Sequence, residues 1–424
     1  MDLANACSST TAFRSFLSGL QLNCLAQKQY LKRKKRSRNG YNRRMRASLD
    51  FPSKALVEEN KVQIEETTMA KPKVFVFAPA DPTGEAHKML ADAGCELVVG
   101  KANWDSPQGN NEDEMAKMAE GCVALMGTSI RSSPITQKIM KASKDLRIVA
   151  KFTIGVDDVD VDAATEMGIL VTHGPTESNW GGVAEGTVTN MLTLLKKVRE
   201  RDRYLKTTSG WRNTELQGTF VGKRESDGYP GIVIGIVGLG RIGTRVAKLM
   251  KPWGMRMIAY DPYIPDSRFT DAGVDRVNDL PSLLKQSDVV TLHVVLTKET
   301  RHMMSTEQFA TMKPTAVFIN TSRGYCVDEK AMIDALQNNK IAGAACDVFE
   351  NEPLAADSPL RKMDDRVLIS PHMISSNHGS GLHPGLIWGT RAVIAALKGE
   401  VLDNVYNKEV IDQWKARFGG KSLI

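Results

Sequence analysis

Three residues in the second half of this sequence could together transfer a proton and hold an anion. Arg323 lies in the segment NTSRG, Glu352 in DVFENEP and His372 in SPH, and each segment follows or ends an apolar stretch. A guanidinium can form paired hydrogen bonds with a carboxylate, and a histidine bonded to a glutamate can act as a general acid or base. Each residue alone would more often be a surface ion pair or a loop residue, so their order in the chain matters more than any one of them.

A glycine-rich segment upstream has the spacing of a dinucleotide-binding turn. It reads GLGRIG over residues 238–243, follows a predicted strand at 232–237 and opens a predicted helix at 244–250. The first glycine permits the tight turn, the second admits a diphosphate and the third lets helix and strand approach. Asp261, 18 residues after the last glycine, could bind both ribose hydroxyls and repel a 2′-phosphate. The sequence therefore predicts NAD rather than NADP, bound by Gly238, Gly240, Arg241, Ile242, Gly243 and Asp261.

Alternating short apolar strands and amphipathic helices predict the elements that hold these residues. A first α/β unit is predicted to have strands at 74–78, 95–100, 122–126, 147–152 and 169–173 and helices at 85–93, 111–120, 135–142 and 161–167. One long helix over 182–204 is expected to separate it from a second α/β unit. That unit has predicted strands at 232–237, 256–260, 289–294, 316–320, 343–348 and 367–370, then a helix at 386–398. The expected fold class is α/β with two open parallel-sheet domains.

Composition indicates a globular protein and argues against several other classes. The 424 residues suggest two to three domains, and a hydrophobic share of 42% is ample for their cores. No apolar stretch approaches the roughly 18 residues of a membrane span, so no membrane association is expected. The six cysteines are scattered without a CxxC pair, which argues against a zinc site and fits a reducing compartment. We therefore expect no metal.

The positive net charge is confined to the start of the chain. Residues 1–48 hold eleven lysines and arginines against one acidic residue, whereas the rest of the chain has 45 basic and 48 acidic residues. The body of the protein is therefore slightly acidic and has no general attraction for a phosphate backbone. A nucleic-acid partner is not expected.

The first 68 residues have the composition of an organelle-targeting extension. Small and hydroxyl residues dominate its start, and acidic residues are nearly absent until Asp50, as in transit peptides. Plastid import is the favoured interpretation, with a transit peptide of about residues 1–47 ending near the segment MRAS. Met69 then begins a segment that resembles the start of a protein without this extension. The alternatives are a mitochondrial address, or a nuclear one through the cluster KRKKR at 32–36.

The motifs GLGRIG, YDP, NTSRG, DVFENEP and SPH, in this order, resemble those of the D-isomer-specific 2-hydroxyacid dehydrogenase family. The likeness extends over residues 73–410 and includes GVD at 155–157, VAE at 183–185 and LT at 296–297. The resemblance implies a Rossmann NAD-binding domain inserted in a flavodoxin-like substrate-binding domain. The implied segments are the extension 1–68, the first part of the substrate domain 69–176, the NAD-binding domain 177–371 and the return segment with the tail 372–424.

The resemblance also implies a role for each site residue. His372 would protonate the carbonyl oxygen of a 2-oxo acid as hydride arrives at C2, with Glu352 as the partner that orients and charges the imidazole. Arg323 would hold the substrate carboxylate together with backbone N–H groups around Ile154, Gly155 and Val156. Asp347 would orient the nicotinamide. Family members form dimers through the cofactor domain, so a homodimer is expected.

Departures from the family pattern leave the substrate open. Val295 stands where the family has proline in HxPLT, Thr153 replaces a glycine, and Met373 to Ser376 replace small residues after the histidine. Glyoxylate or hydroxypyruvate and 3-phosphoglycerate are the substrate types considered. Plastid 3-phosphoglycerate dehydrogenases carry C-terminal regulatory domains that do not follow here, which disfavours that type. Arg131 is a candidate for contact with a distal phosphate or, equally, for capping its own loop.

Two other functions remain as alternatives. Some members of the superfamily are NAD-sensing transcriptional corepressors that keep the same three residues, and the basic cluster would then be a nuclear signal. Others could use these residues to oxidise a non-carbon substrate such as phosphite. Glu352 disfavours a formate dehydrogenase, which has glutamine at the equivalent position.

Overall fold

The computed structural model describes residues 70–101, 111–128, 133–377 and 382–424. The predicted targeting extension, its cleavage site and Arg131 all lie outside the described residues. Residues 69–424 form one compact unit. No helix within the described residues is both long and apolar enough to span a membrane.

The first half of the unit is built on a five-stranded parallel sheet. Its strands are ordered β2-β1-β3-β4-β5, so the chain starts near the middle and moves outward in both directions. Helices α1 to α4 connect the strands, and their apolar side chains fill the cores on the sheet faces. The strands are β1 (Lys73–Ala78), β2 (Glu96–Val99), β3 (Cys122–Gly127), β4 (Ile148–Lys151) and β5 (Leu170–Thr172), and the helices are α1 (Glu85–Asp92), α2 (Glu112–Ala119), α3 (Gln137–Lys141) and α4 (Val161–Glu166).

Two helices follow the first sheet where the sequence predicted one over 182–204. They are α5 (Glu177–Leu195) and α6 (Val198–Thr207), separated at Lys197, whose φ is 50°. The prediction of one continuous helix was wrong because a distant segment caps the end of α5. The Thr219 amide donates to the Leu195 carbonyl at 2.8 Å, and Gly218 packs on the Lys196 backbone so closely that a Cβ there would lie 2.8 Å from the Lys196 Cα.

A seven-stranded parallel sheet forms the second half, ordered β12-β11-β10-β9-β6-β7-β8. The strand order reverses at β6 and β9, which are neighbours in the sheet, with Ile234 opposite Val289. Ligands of open α/β sheets bind where the strand order reverses in this way. The strands are β6 (Val233–Val237), β7 (Arg256–Tyr260), β8 (Asp275–Arg276), β9 (Val289–Leu292), β10 (Val317–Asn320), β11 (Gly343–Cys346) and β12 (Val367–Ile369). The helices between them are α7 (Arg241–Met250), α8 (Asp266–Ala272), α9 (Leu280–Gln286), α10 (Thr306–Thr311) and α11 (Glu329–Gln337).

The end of the chain returns to the first sheet. Helices α12 (His383–Leu397) and α13 (Ile411–Phe418) bury apolar residues in the core formed with β1 and β4. Trp414 is fully buried, and its indole N–H donates to the Arg147 carbonyl at 2.8 Å. The Arg147 guanidinium in turn donates to the Ala396 carbonyl at 2.9 Å. Both ends of the described chain thus complete one core.

The predicted fold class, two parallel-sheet α/β domains, is confirmed. The predicted strands agree with the observed ones to within one or two residues. The helix predicted to begin at Leu386 begins instead at His383, and α8 to α11, α13 and β8 were not predicted.

Candidate active site

A cleft of about 2210 Å³ contains most of the predicted site residues. Its walls come from loops at the carboxyl ends of strands in both sheets and from the start of α5. This volume exceeds the roughly 300–1,000 Å³ of a site for one small molecule. The cleft is therefore larger than a site for one small molecule. The predicted residues that line the cleft are Ile154, Gly155, Val156, Arg241, Ile242, Arg323, Asp347, Glu352 and His372.

His372 and Glu352 form a hydrogen-bonded pair in this cleft. The His372 Nδ1 and the Glu352 Oε2 are 2.9 Å apart. The other carboxylate oxygen of Glu352 accepts from the Phe349 amide at 3.0 Å. This second hydrogen bond fixes the orientation of the carboxylate that contacts the imidazole. Because Nδ1 faces Glu352, we expect Nε2 to be the ring nitrogen that exchanges a proton with a substrate.

The loop that carries His372 is attached to Asp347 at the end of β11. The Asp347 Oδ1 accepts from the Ser370 hydroxyl at 2.5 Å and from the Met373 amide at 3.0 Å. The His372 amide donates to the Asp347 carbonyl at 2.9 Å. Burial raises the pKa of the Asp347 carboxyl, while the Ser370 bond and the nearby His372 oppose that rise. Asp347 therefore shapes the His372 loop, in addition to the nicotinamide contact predicted for it.

Two glycines on α5 provide the surface on which this loop rests. A Cβ at Gly186 would lie 2.1 Å from the Ile374 Cγ1, and one at Gly182 would lie 2.8 Å from the Asn377 Nδ2. The small residues thus allow close contact between α5 and the segment 374–377. The position of the imidazole depends on this helix as well as on its own strand.

Arg323 follows β10 and reaches across to the loop after β4. Its Nε donates to the Asp157 Oδ2 at 2.7 Å, and its Nη1 donates to the Ser322 carbonyl at 2.7 Å. A Cβ at Gly155 would lie 2.0 Å from the Arg323 Nη2. The guanidinium and the predicted carboxylate-binding loop around Gly155 are therefore in direct contact.

A buried ion pair lies beneath this loop. The Lys151 Nζ is 2.6 Å from the Asp158 Oδ2, and it also donates to the Thr128 carbonyl at 2.9 Å. Both side chains are buried. Burial lowers the pKa of Lys151 while the Asp158 charge raises it. The sequence analysis did not predict this pair, although the sequence contains adjacent aspartates after a strand that ends in lysine.

The glycine-rich turn has the three features that a dinucleotide requires. Gly238 has a φ of 89°, which favours glycine, and a Cβ at Gly243 would lie 2.2 Å from the Gly238 carbonyl oxygen. At Gly240 a Cβ would meet nothing within 4 Å, so the space beside this backbone is open at the amino end of α7. A diphosphate fits there, on amide groups at the positive end of the helix. The residues present thus suit the predicted cofactor.

Asp261 lies at the end of β7 and is bonded to the same turn. Its Oδ2 accepts from the Leu239 amide at 2.9 Å and its Oδ1 from the Tyr263 amide at 3.0 Å. Each oxygen keeps a lone pair for a ribose hydroxyl. Gly238, Gly240, Gly243 and Asp261 are not part of the cleft lining as the structure describes it.

His293 is a cleft residue to which the sequence assigned no role. It follows β9, and its Nε2 is 2.9 Å from the Thr291 hydroxyl. The Nδ1 atom is buried without a hydrogen-bond partner. Burial lowers the pKa of His293 to about 3, so the ring is neutral near pH 7. In the sequence, the HVVLT motif could have indicated that His293 lies at the site.

The family profile for the NAD-binding domain of D-isomer specific 2-hydroxyacid dehydrogenases matches residues 188–373. A glyoxylate reductase of Korarchaeum cryptofilum is 38% identical over 348 residues, which is 80% of this chain and 97% of that protein. A D-3-phosphoglycerate dehydrogenase of Methanocaldococcus jannaschii is 37% identical over 302 residues, which is 71% of this chain and 54% of that protein. The chain thus spans about half of the second relative.

A solved structure is also similar to this chain. A D-lactate dehydrogenase of Aquifex aeolicus, complexed with NAD and lactic acid, has 27% sequence identity and a TM-score of 0.66. The match covers 79% of this chain and 98% of that one. Together with the cleft and the glycine-rich turn, these likenesses define an NAD-dependent oxidoreductase with two α/β domains.

This chain belongs to the D-isomer-specific 2-hydroxyacid dehydrogenase family. The predictions of the family, of NAD as cofactor and of oxidoreductase chemistry on 2-hydroxy and 2-oxo acids are confirmed at that level. The roles of individual site residues stay predictions.

Proposed function

We propose that this protein reduces a short 2-oxo acid with a single negative charge, of the glyoxylate or hydroxypyruvate type. The observation that carries the proposal is the convergence of Arg323, the His372–Glu352 pair and the Gly155 loop in one cleft. No lysine lines the described part of this cleft. Of its arginines, Arg361 already donates to the backbone carbonyls of residues 354 and 355. Arg241 belongs to the glycine-rich turn predicted to hold the cofactor diphosphate, so we assign Arg323 to the substrate carboxylate and no cation to a second anionic group.

Each residue has a distinct task in this proposal. Arg323 and the amides around Gly155 hold the carboxylate and so fix the reacting carbonyl. NADH, when bound, supplies the hydride. His372 gives the proton on Nε2 to the carbonyl oxygen, and Glu352 stabilises and orients the imidazolium that donates it. In the oxidative direction the same nitrogen accepts the proton.

The test is NADH oxidation by the full-length chain with glyoxylate, hydroxypyruvate, phosphohydroxypyruvate, pyruvate and an aryl pyruvate. We expect the highest kcat/KM for glyoxylate or hydroxypyruvate. A preference for phosphohydroxypyruvate would overturn the proposed substrate class and favour the 3-phosphoglycerate type, as in the methanogen relative. Tight NADH binding without turnover of any acid would instead favour the corepressor-like or phosphite-oxidising alternatives.

We propose a homodimer that forms through the predicted NAD-binding domain, residues 177–371. Helix α6 contains no buried residue. Val198 and Leu205 on this helix are each 53% exposed, and Trp211 just beyond it is 77% exposed. Clusters of exposed large apolar side chains commonly mark a protein interface. Light scattering should give twice the chain mass, and Leu205→Lys should shift the protein toward monomer; a monomeric unaltered chain would contradict the proposal.

We propose import into plastids, on the basis of the composition of residues 1–68. A fusion of these residues to a fluorescent protein should accumulate in plastids of a plant cell. Mitochondrial accumulation would replace this proposal with the first alternative. Nuclear accumulation would support the corepressor-like alternative as well.

A further inference from the structure

Three successive backbone carbonyl groups in the loop after β4 are held by hydrogen bonds. The Gly174 amide donates to the Thr153 carbonyl at 2.8 Å, and the His173 Nδ1 is 3.3 Å from the Ile154 carbonyl oxygen. The Thr153 hydroxyl donates to the Gly155 carbonyl at 3.1 Å. Two of these three donors are therefore side chains, which can be replaced without a change in the loop itself or its backbone.

The carbonyl bonds also set the direction of the amide groups that are predicted to hold the substrate carboxylate. In a planar trans peptide the C=O of one residue and the N–H of the next point in opposite directions. A bond to the Ile154 carbonyl therefore fixes the direction of the Gly155 N–H, and a bond to the Gly155 carbonyl fixes that of the Val156 N–H. Glycine has access to backbone angles that are closed to other residues. Without these bonds, the peptide groups on either side of Gly155 could rotate and turn a carbonyl oxygen toward the carboxylate.

His173 lines the cleft and has no part in the proposed proton transfer. It follows β5, and its ring lies edge-on to Tyr406, with 5.9 Å between the ring centroids. Burial lowers the pKa of His173, the bond to Ile154 raises it, and the charges of Arg241 and Lys408 lower it further. The ring is therefore mainly neutral near pH 7 and carries one proton. Because a carbonyl oxygen only accepts hydrogen bonds, we place this proton on Nδ1, which donates to Ile154.

We propose that His173 and Thr153 are positioning residues that keep the loop of residues 153–157 in the form that binds a carboxylate. The inference rests on the proposed function and deepens it. Each side chain acts through the backbone: it holds one carbonyl group and so directs the following N–H toward the substrate. Donors that are oriented before the ligand arrives cost little free energy of reorganisation on binding.

The experiment measures the dissociation constant of oxamate, a singly charged analogue of a 2-oxo acid. Calorimetry is carried out with the full-length protein saturated with NADH. His173→Phe keeps an aromatic ring beside Tyr406 but removes the donor, and Thr153→Val keeps the shape of the side chain but removes the hydroxyl. We expect each variant to bind oxamate roughly tenfold more weakly, the scale of one hydrogen bond to a charged group. The dissociation constant of NADH should stay unchanged.

Three further variants serve as controls. His173→Asn places an N–H donor near the position of the imidazole Nδ1, and Thr153→Ser keeps the hydroxyl, so both should bind oxamate nearly as tightly as the unaltered protein. Tyr406→Phe alters another residue of the cleft wall and leaves both carbonyl bonds in place. Its affinity for oxamate should not change.

Normal oxamate binding in His173→Phe or in Thr153→Val would overturn the role of that residue, and so would an equal loss in its conservative variant. A parallel loss of NADH binding would show a general structural defect and would also count against the proposal. A turnover preference for phosphohydroxypyruvate would contradict the proposed function alone, because oxamate has no distal group and tests only the loop. Failure of the unaltered protein to bind oxamate in the presence of NADH would contradict both.

Discussion

At the scale of single residues, His372 resembles a second histidine elsewhere in the chain. His372 and His302 have φ values of 54° and 51°, and each is bonded to a glutamate, His302 to Glu350 at 2.8 Å. His372 lines the cleft, whereas His302 is not part of its described lining. The local geometry is therefore shared by both histidines, and the position after β12, in the cleft, is what distinguishes His372 as the predicted acid–base residue.

Replacement of His372 by glutamine tests this assignment. We expect turnover to fall by roughly 10²-fold or more, because the proton donor is removed, while the dissociation constant of NADH stays unchanged. Stopped-flow turnover and fluorescence titration of NADH measure the two quantities. His302→Gln is the matched control and should retain full activity. Comparable turnover in both variants would contradict the role of His372.

Asp261 offers a second test at this scale. Asp261→Asn keeps an acceptor for the Leu239 amide but removes the charge that would repel a 2′-phosphate. We expect the ratio of the NADPH to the NADH dissociation constant to fall by roughly tenfold. Asp271→Asn, on the exposed surface of α8, should leave the ratio unchanged. The same ratio in both variants would count against a ribose contact for Asp261.

At the scale of elements, substitutions in the turn between β6 and α7 should affect the stability of the protein and the binding of NADH separately. Gly240→Ala adds a methyl group that meets no protein atom within 4 Å, so the melting temperature without ligand should not change. The methyl group would occupy the space predicted for the diphosphate, and we expect NADH to bind at least tenfold more weakly, a loss of about 1.4 kcal/mol.

Gly243→Ala should instead lower the free energy of unfolding, as measured by calorimetry. Its methyl group would collide with the Gly238 carbonyl oxygen, so helix and strand would have to separate. We expect a destabilisation of about 1–3 kcal/mol, as for overpacked cores. A stable Gly243→Ala or a tightly binding Gly240→Ala would contradict the proposed placement of the diphosphate.

The sequence predicts elements well where one local pattern determines them. Strands such as β6 and β9 are apolar segments bounded by polar or glycine residues, so their existence follows from pattern alone. The break between α5 and α6 depends on the Thr219 amide, which is distant in sequence and leaves no mark near Lys197. Short helices such as α9 have too few turns for a clear period.

The same distinction holds for the site. His372, Glu352 and Arg323 were predicted because each lies in a recognisable segment after a strand, and parallel strands bring their carboxyl ends together. The contact of Arg323 with Asp157 was not predicted, because it joins two sheets whose relative position the sequence does not specify. The buried pair of Lys151 and Asp158 was missed since a lysine at a strand end is normally exposed.

At the scale of the whole molecule, buried neutral histidines predict sensitivity to acid. Burial lowers the pKa of His293 from 6.5 to about 3, and it also lowers the pKa of His173. Between pH 6.5 and pH 3 the unfolded chain therefore binds more protons than the folded one at His293. The free energy of unfolding should fall as the pH falls through this window, by up to about 1.4 kcal/mol per pH unit for a single group.

Urea unfolding of His293→Gln measures this contribution. Glutamine does not titrate and can keep a bond to Thr291, so stability should fall less between pH 7 and pH 5 than in the unaltered protein. Equal slopes in His293→Gln and the unaltered protein would show that His293 does not titrate differently on unfolding.

The return of the chain to its first sheet has a consequence for the order of folding during synthesis. Protein domains generally fold from the amino end as they leave the ribosome. Here β1 and β4 emerge early, but the core on one of their faces needs Leu386, Val393 and Trp414 from the last forty residues. The first sheet must therefore wait, with one apolar face uncovered, until almost the whole chain has been translated. The second sheet, whose strands are contiguous in sequence, can form before the first is complete.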